Sequence, residues 1–475
     1  MSKQTLVMKF GGTSVGSADA LVKATQIVKD ARAEYPRVIV ITSALSGVTN
    51  LLLDCAARAA NGSVENLPAA ETTLREKHFS AADALIQDEA LRESTKREID
   101  ALIHLLVDLC KAIAVLGEAS PRAMDAVASI GERMSVRLLG AVLQSVGIKS
   151  KAIESTEFII TNAHYQHAHP DFKATTEKTR AILNPLLDDG IVPVTTGFIG
   201  ATPEGAITTL GRGGSDYSAA IIGSVLPADD VWIWTDVDGV MTTDPRIVPT
   251  ARTLPEITYS EIAELAYYGA KVLHPKTIRP IVDAGIGLRI CNTFNPSHPG
   301  TRLIANAPSD SKARNGNNIV KAVTAIRSQR LITIEGRGML GVPGVAARAF
   351  GAVASTKTSV PLITQASSEQ SICFAVPTES AAQVIGALQA VFADEIEDED
   401  IDRVWMTEDV SIITVVGVGM RHTPGVSGLV FTQLGDNNVN VLAIAQGSSE
   451  VSISMVVAAA DTEAGVKALH GLIVK

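Results

Sequence analysis

The sequence predicts an α/β domain, with a mostly parallel sheet sandwiched by helices, followed by two α+β modules of βαββαβ order. Three observations predict it. Up to about residue 305, short apolar runs (LVMKF, VIVIT, IVPVTTGFI, VWIWTDV, LRICN) alternate with amphipathic helical stretches, the pattern of a parallel sheet covered on both faces. The stretch NAPSDSKARNGNN, residues 306 to 318, lacks apolar periodicity and has the composition of an exposed linker. Beyond it the chain repeats itself without a gap: Gly336 matches Gly417, Met339 Met420, Gly344 Gly425, Gln365 Gln446 and Glu369 Glu450, all at one offset (446 − 365 = 81).

In order, LVMKF is a first strand running into Gly11-Gly12 and then a helix over residues 18 to 32. VIVIT follows, then a long helical region from about 63 to 147, then the strand IVPVTTGFI, the helix YSAAIIGSVL, and the strands VWIWTDV and LRICN. This gives a first domain over residues 1 to 305 and a repeat region over 319 to 475. Each repeat reads strand, Gly-rich turn, helix, strand, strand, helix. The first can close with a strand in RVWMTED, residues 403 to 409, but the second ends in the helix DTEAGVKALHGLIVK. VKAVTAI, residues 320 to 326, is expected to supply that missing strand. The first module, 327 to 409, is then inserted in the second, 319 to 326 plus 410 to 475. The acidic run EIEDEDID, residues 395 to 402, is expected to be a solvated connection.

Composition bounds the function. With 46% hydrophobic and 19% charged residues over 475, the chain can bury sizeable cores and is not of the disordered class. A formal charge of -10 disfavours nucleic acid as a partner, because that binding rests on basic patches and counterion release. Cys55, Cys110, Cys291 and Cys373 show no CxxC pairing, so neither zinc nor a disulfide framework is expected, and a reducing cytoplasm fits. The start has no apolar signal core and no run of 18 uncharged apolar residues follows, so no membrane partner is expected.

Two glycine turns carry the chemistry. In MKFGGTSVG, Gly11 and Gly12 let backbone N–H groups converge, a helix start adds partial positive charge, and Lys9 brings a full one. The lysine precedes the glycines, so this is not the GxxxxGK[ST] phosphate loop. In TTLGRGGSDYSAA, Ser215 is expected to N-cap the helix and Asp216 to stand in its first turn. Capping alone would not need Gly211, Gly213 and Gly214 around Arg212; a phosphate lying on bare backbone would, with an acid nearby for Mg2+. The segment VWIWTDVDGVMTTDPR places Thr235, Asp236 and Arg246 in loops after a strand, where parallel sheets bind ligands. YYGAKVLHPKT offers Lys271 and His274, the histidine reading as a packing or capping residue.

MKFGGTSV, ITSALSGVTNLL, SIGERMSVRLL, TTLGRGGSDYSAA, WTDVDGVMTTDPR, YGAKVLHPKT and the two glutamine-bearing repeats resemble the aspartate kinases, enzymes of the amino-acid kinase fold with two C-terminal ACT modules. The resemblance spans essentially the whole chain. It implies ATP-dependent phosphorylation of the β-carboxylate of L-aspartate, with Mg2+. Carried over by position, Lys9 neutralises the transferring phosphoryl group, and Asp216 organises Mg2+ and the lysine. Arg212 pairs with a substrate carboxylate, Glu132 takes its ammonium, and Ser43 and Thr49 are substrate-side hydroxyls. Gly11, Gly12, Gly213, Gly214 and Ser215 face phosphate, while Thr235, Asp236, Met241, Arg246, Lys271 and Val272 are the nucleotide contacts. Met241 departs from the aromatic residue that many members have there, replacing adenine stacking with a softer thioether contact. The family also implies that Gln365 and Gln446 contact an allosteric effector, L-threonine on this pattern with lysine as the alternative, acting on a homo-oligomer (a dimer or tetramer through the ACT modules).

Two further motifs point elsewhere. GRGMLG, residues 336 to 341, matches the dinucleotide pattern GxGxxG, but no acid stands about twenty residues on, where Ser359, Val360 and Pro361 lie. HYQHAH, with His164, His167 and His169, hints at metal but lacks acidic partners and is expected to be a solvated loop.

Overall fold

The strands of the first part of the chain are β1 (Thr5–Phe10), β2 (Arg37–Thr42), β3 (Ser150–Ile153), β4 (Val192–Thr196), β5 (Ile199–Ala201), β6 (Ile207–Thr209), β7 (Asp230–Thr235), β8 (Glu256–Thr258), β9 (Gly287–Asn292) and β10 (Thr301–Ile304). Eight of them form one sheet in the order β3-β4-β2-β1-β7-β9-β10-β8, and β5 and β6 pair separately. β1 lies parallel to β2 and β7, β4 to β2 and β3, and β9 to β7, while β10 is antiparallel to β9. All six residues of β1 are buried, as a central strand with covered faces requires.

The computed structural model describes residues 4–270, 273, 275–305, 319–339, 343–365, 370–446 and 451–473, apart from the side chains of Lys276 and Arg421. It divides into two units: Met1–Val240, Pro255–Ile257 and Leu273–Ala305 in the first, Met241–Leu254, Thr258–Val272 and Asn306–Lys475 in the second. The 306 to 318 linker lies outside the described residues.

In the first unit the expected long helical region resolves into three helices, Leu67–Leu85, Glu89–Leu116 and Pro121–Ser145. Their breaks are local chemistry. Asp88 caps the second helix by accepting from the Leu91 N–H, and Gly117 ends it in the left-handed conformation at φ 71°. Ser120 with Pro121 then opens the third. Its inner face, with Ile130, Met134 and Leu138, joins Leu6, Met8, Val38 and Leu52 in the main core. Because β1, β2, β4 and β7 run the same way, the loops that leave them gather at one edge of the sheet, where open α/β sheets bind ligands.

The second unit holds β11 (Ala322–Glu335), β12 (Leu362–Gln365), β13 (Ser371–Pro377), β14 (Arg403–Met406), β15 (Val410–Val416), β16 (Ala443–Ala445) and β17 (Ser452–Ala458). Where the sequence suggests separate strands at 320 to 326 and from 332, the chain runs as one strand, β11, with a register shift between Ile326 and Gln329 and Ser328 at φ 56°. The first half of β11 pairs with β15, and its second half with β13 and β14. One four-stranded set is therefore β12-β13-β11-β14 and the other β16-β17-β15-β11, the same order twice.

The repeated glycines explain themselves here. A Cβ on Gly336 would sit 2.3 Å from the Asp400 carbonyl oxygen, and one on Gly417 1.8 Å from that of Ile319. In each repeat a bare backbone makes room for the connection that enters the fourth strand. A Cβ on Gly338 would meet Asp400 at 2.4 to 2.7 Å, so Gly336 and Gly338 have a packing cause that requires no dinucleotide, while Leu340 and Gly341 of GRGMLG lie outside the described residues.

Candidate active site

The first glycine turn is fixed by three backbone bonds: Gly11 N–H to Trp234 O at 3.0 Å, Ser43 N–H to Phe10 O at 3.1 Å, and Ser46 N–H to Gly12 O at 3.1 Å. A Cβ on Gly12 would stand 2.8 Å from the Ala44 carbonyl, so only glycine lets this turn lie against the loop after β2. The helix expected over residues 18 to 32 forms, but its N-terminus does not add its partial charge at the glycine pair. The chain forms a 3-10 turn there, Thr13–Val15, and the helix Ala18–Glu34 starts later with Ser17 accepting from the Ala20 N–H. The helix N-termini at this edge are instead those of Val48–Ala60 and Gly214–Val225, capped by Gly47 at φ 82° and Gly213 at φ 71°. Ser215, expected as N-cap, lies within the first turn; the αL geometry of Gly213 takes that position and no side chain caps it.

A cavity of about 700 Å³ opens among these turns. Lys9 and Gly12 reach it from the end of β1, Ser43 from the loop after β2, Thr49 from the first turn of the helix Val48–Ala60, Glu132 from the helix Pro121–Ser145, and Arg212 to Asp216 from the second glycine turn. Gly11 stands beside it: its Cβ position is 3.7 Å from Lys9 Nζ. Lys9 Nζ lies 2.6 Å from Asp216 Oδ1, with the side chains only 11% and 18% exposed. That oxygen is buried without a hydrogen-bond partner, so the contact is an ion pair off the hydrogen-bonding direction. Glu132 is 3% exposed; its Oε1 accepts from the Ala44 N–H at 3.3 Å and its Oε2 has no partner. Burial pushes its carboxyl up to about 8, although the Ala44 N–H and Lys9 pull the other way. Such a group waits for a cationic donor.

Thr235 and Asp236 follow directly on the Trp234 carbonyl that receives Gly11, at the same sheet edge, with the Thr235 hydroxyl donating to Asp236 at 3.2 Å. They do not line the cavity. Met241 and Arg246 fall in the second unit. There the Thr253 hydroxyl meets Met241 Sδ at 3.5 Å, and Arg246 forks onto Asp244 with Nη2 at 2.6 Å. Lys271, Val272 and His274 lie outside the described residues. Gln365 ends β12 and Gln446 follows β16, both exposed, at equivalent points of the edge strands.

Sequence reasoning missed Asp125, Gln166, His167 and Phe198, which also line the cavity. The signal for Asp125 was a carboxylate seven residues before Glu132, hence on the same helical face. The HYQHAH loop, expected as solvated surface, is exposed at Gln166 and His167 yet forms a cavity wall, because Gly211 lacks the side chain that would keep it away. Among the described residues no group of three His, Cys, Asp or Glu could hold a metal. No helix among them is long and apolar enough to cross a membrane.

The amino acid kinase family matches residues 4–292, and the ACT domain matches 332–392 and 413–472. The aspartokinase of Schizosaccharomyces pombe is 34% identical over 502 residues, covering 99% of this chain and 92% of that protein. The chain belongs to the aspartokinase family. Bifunctional aspartokinase/homoserine dehydrogenase 2, chloroplastic, of Arabidopsis thaliana is 36% identical over 98% of this chain, which spans 50% of that longer relative. Several curated relatives share that relation, so the chain spans about half their length. Among solved aspartokinases, E. coli aspartokinase III in complex with aspartate and ADP (R-state) matches with a TM-score of 0.79 and 31% identity, over 99% of this chain and 100% of that one. The same protein with lysine and aspartate (T-state) matches equally, at 0.79.

Proposed function

We propose that this aspartokinase-family chain transfers the γ-phosphoryl group of ATP to the β-carboxylate of L-aspartate, giving 4-phospho-L-aspartate, the first step towards lysine, threonine and methionine. The observation that carries the reading is the convergence of the Lys9–Asp216 ion pair, Arg212 and a buried Glu132 with an unpartnered Oε2 on one cavity. Aspartate offers what those groups lack. Its ammonium answers Glu132, its α-carboxylate Arg212, and its β-carboxylate lies towards Lys9. A β-carboxylate oxygen attacks the γ-phosphorus, the bond to the bridging oxygen breaks, and ADP leaves. The attacking carboxylate, with an ordinary pKa of about 3.9, is already ionised at neutral pH, so no general base is needed. Lys9 and the N–H groups of the two glycine turns meet the negative charge gathered between nucleotide and acceptor.

The buried Oδ1 of Asp216, ion-paired with Lys9 but without a hydrogen-bond donor, fits a role beside Mg2+, which on binding with the nucleotide would offset phosphate charge. Thr235 and Asp236 serve the nucleotide side, with Met241, Arg246, Lys271 and Val272. The aspartate and ADP bound by the E. coli relative support this reading. Hydroxamate formation when hydroxylamine traps the acyl phosphate made from aspartate with Mg2+ and ATP, releasing phosphate, tests it: the wild type turns over and Lys9→Met does not. A wild type inert towards aspartate would overturn it.

Residues 1–305 serve as the catalytic domain and 319–475 as a regulatory pair of ACT modules, the first (327–409) inserted in the second. Pairing of β11 with β15 supports that insertion. Gln365 and Gln446 take an end-product amino acid, threonine first, which acts by binding one arrangement of a homo-oligomer more tightly than the other. The equivalent edge positions of the two glutamines support a shared ligand role. The lysine complex of the E. coli relative keeps lysine as the second reading. Inhibition assays with threonine and lysine separately decide between them.

A further inference from the structure

We propose that Asp125 is a positioning residue for the amino-acid end of this cavity: it clamps the Gln166–His167 turn to Thr209 and so fixes the wall behind Arg212. The inference rests on the aspartate reading above and concerns residues that reading does not use.

Asp125 is 1% exposed, on the same face of the helix Pro121–Ser145 as Glu132 and two turns before it. It makes no ion pair among the described residues. Its carboxylate is spent on two other segments. Oδ2 accepts the Gln166 N–H at 2.9 Å and the Thr209 N–H at 2.9 Å, and Oδ1 accepts the Thr209 hydroxyl at 2.8 Å. The Ala168 N–H adds a bond to Thr209 O at 2.9 Å. Three segments far apart in sequence therefore meet on one carboxylate.

What the clamp holds is strained and close to the chemistry. Gln166 has φ 69°, a left-handed conformation that costs a non-glycine residue on the order of 1 kcal/mol and persists only where the surroundings enforce it. The turn rests on Gly211, whose Cβ position is 2.7 Å from His167 Nδ1 and 3.0 Å from Gln166 O. Gly211 is the residue before Arg212. The turn, Thr209, Gly211 and Arg212 line the same cavity as Glu132. Loosening the clamp releases the wall on one side of the arginine and leaves Lys9 and Asp216 on the other glycine-turn flank in place, so it acts on amino-acid binding before phosphoryl transfer.

Steady-state kinetics of the full chain test this. Wild-type turnover of aspartate is measured first; its absence would sink the aspartate reading and is distinct from any result on the clamp. Asp125→Asn, which puts a donor where N–H and O–H donors converge, is expected to raise KM for aspartate tenfold or more, while KM for ATP and kcat move less than threefold. His167→Ala, acting through the same wall, is expected to raise the same KM, and the double variant to be no worse than the weaker-binding single one. Thr209→Val gives a smaller rise and Thr209→Ser restores it, which keeps the test open should Asp125→Asn fail to fold. Equal losses in kcat and both KM values, or effects of Asp125→Asn and His167→Ala that multiply, would overturn the proposal.

Discussion

Lys9 Nζ stands 2.6 Å from Asp216 Oδ1, joining the end of β1 to the first turn of the helix Gly214–Val225 across 207 positions of sequence (216 − 9). The pair holds the ammonium at the mouth of two bare-backbone turns, where it can be shared with an incoming phosphate. Lys9→Met is expected to lower kcat by about 10²- to 10³-fold, the range for losing one preorganised group that meets developing charge. Lys9→Arg recovers little, because a planar fork replaces a compact ammonium. Single-turnover phosphoryl transfer measures the chemical step, and a loss confined to KM would count against the role.

Glu132 is expected to make aspartate binding proton-linked. Its folded-state value, about 8, lies above the ordinary carboxylate range because of burial, so between about 4.5 and 8 the folded free protein holds a proton that the unfolded chain has lost. The sign follows: this group's contribution to stability falls as pH rises through that window. An ammonium arriving beside Oε2 favours the ionised form, so aspartate binding at pH 7 is expected to release up to one proton per site. Calorimetry in two buffers of different ionisation heat measures it. In Glu132→Gln the release disappears and KM for aspartate rises about 10- to 100-fold, the loss of a charged hydrogen bond.

Within the second unit Glu261 is a buried anchor. Its side chain is fully buried, pairs with Lys321 Nζ at 2.8 Å, accepts the Val418 N–H at 2.9 Å and closes a capping box with Thr258. Lys321→Ala leaves that carboxylate without a cation and is expected to cost about 3 kcal/mol. Urea unfolding should show the loss, with the first unit's transition unmoved; a change under about 1 kcal/mol, the scale of an exposed pair, would refute the anchor role.

Gln365 ends one edge strand and Gln446 directly follows the matching one, so exchanging either amide tests the proposed effector site without touching the cavity. Gln365→Ala is expected to shift the concentration of threonine for half inhibition upward by about tenfold, as loss of roughly one good hydrogen bond implies. Uninhibited turnover stays near the wild-type rate. An unchanged inhibition curve, or sensitivity to lysine alone, would show that the effector is read elsewhere.

The glycine turns, the alternation of strands and helices, and the exact-offset repeat were legible in sequence because each is local. A strand shows its burial in consecutive residues, and a turn shows its need for αL geometry in Gly211 and Gly213 at φ 79° and 71°. Helix starts were less secure. At Ser215 a good capping residue lost its place to Gly213, since backbone conformation there outweighs side-chain preference.

By itself, then, the sequence determined a parallel α/β domain, two repeated modules, and the residue types at two glycine-rich bends. Only the tertiary structure decided that β11 is one strand serving both repeats, that residues 241 to 254 associate with the second unit, and that Asp125 gathers Gln166 and Thr209 beside Arg212. The physical reason is the range of the forces involved. Propensity and periodicity act over a few residues and leave a mark in each stretch of chain, whereas strand pairing and burial of a carboxylate depend on which distant segments bring donors and surface together.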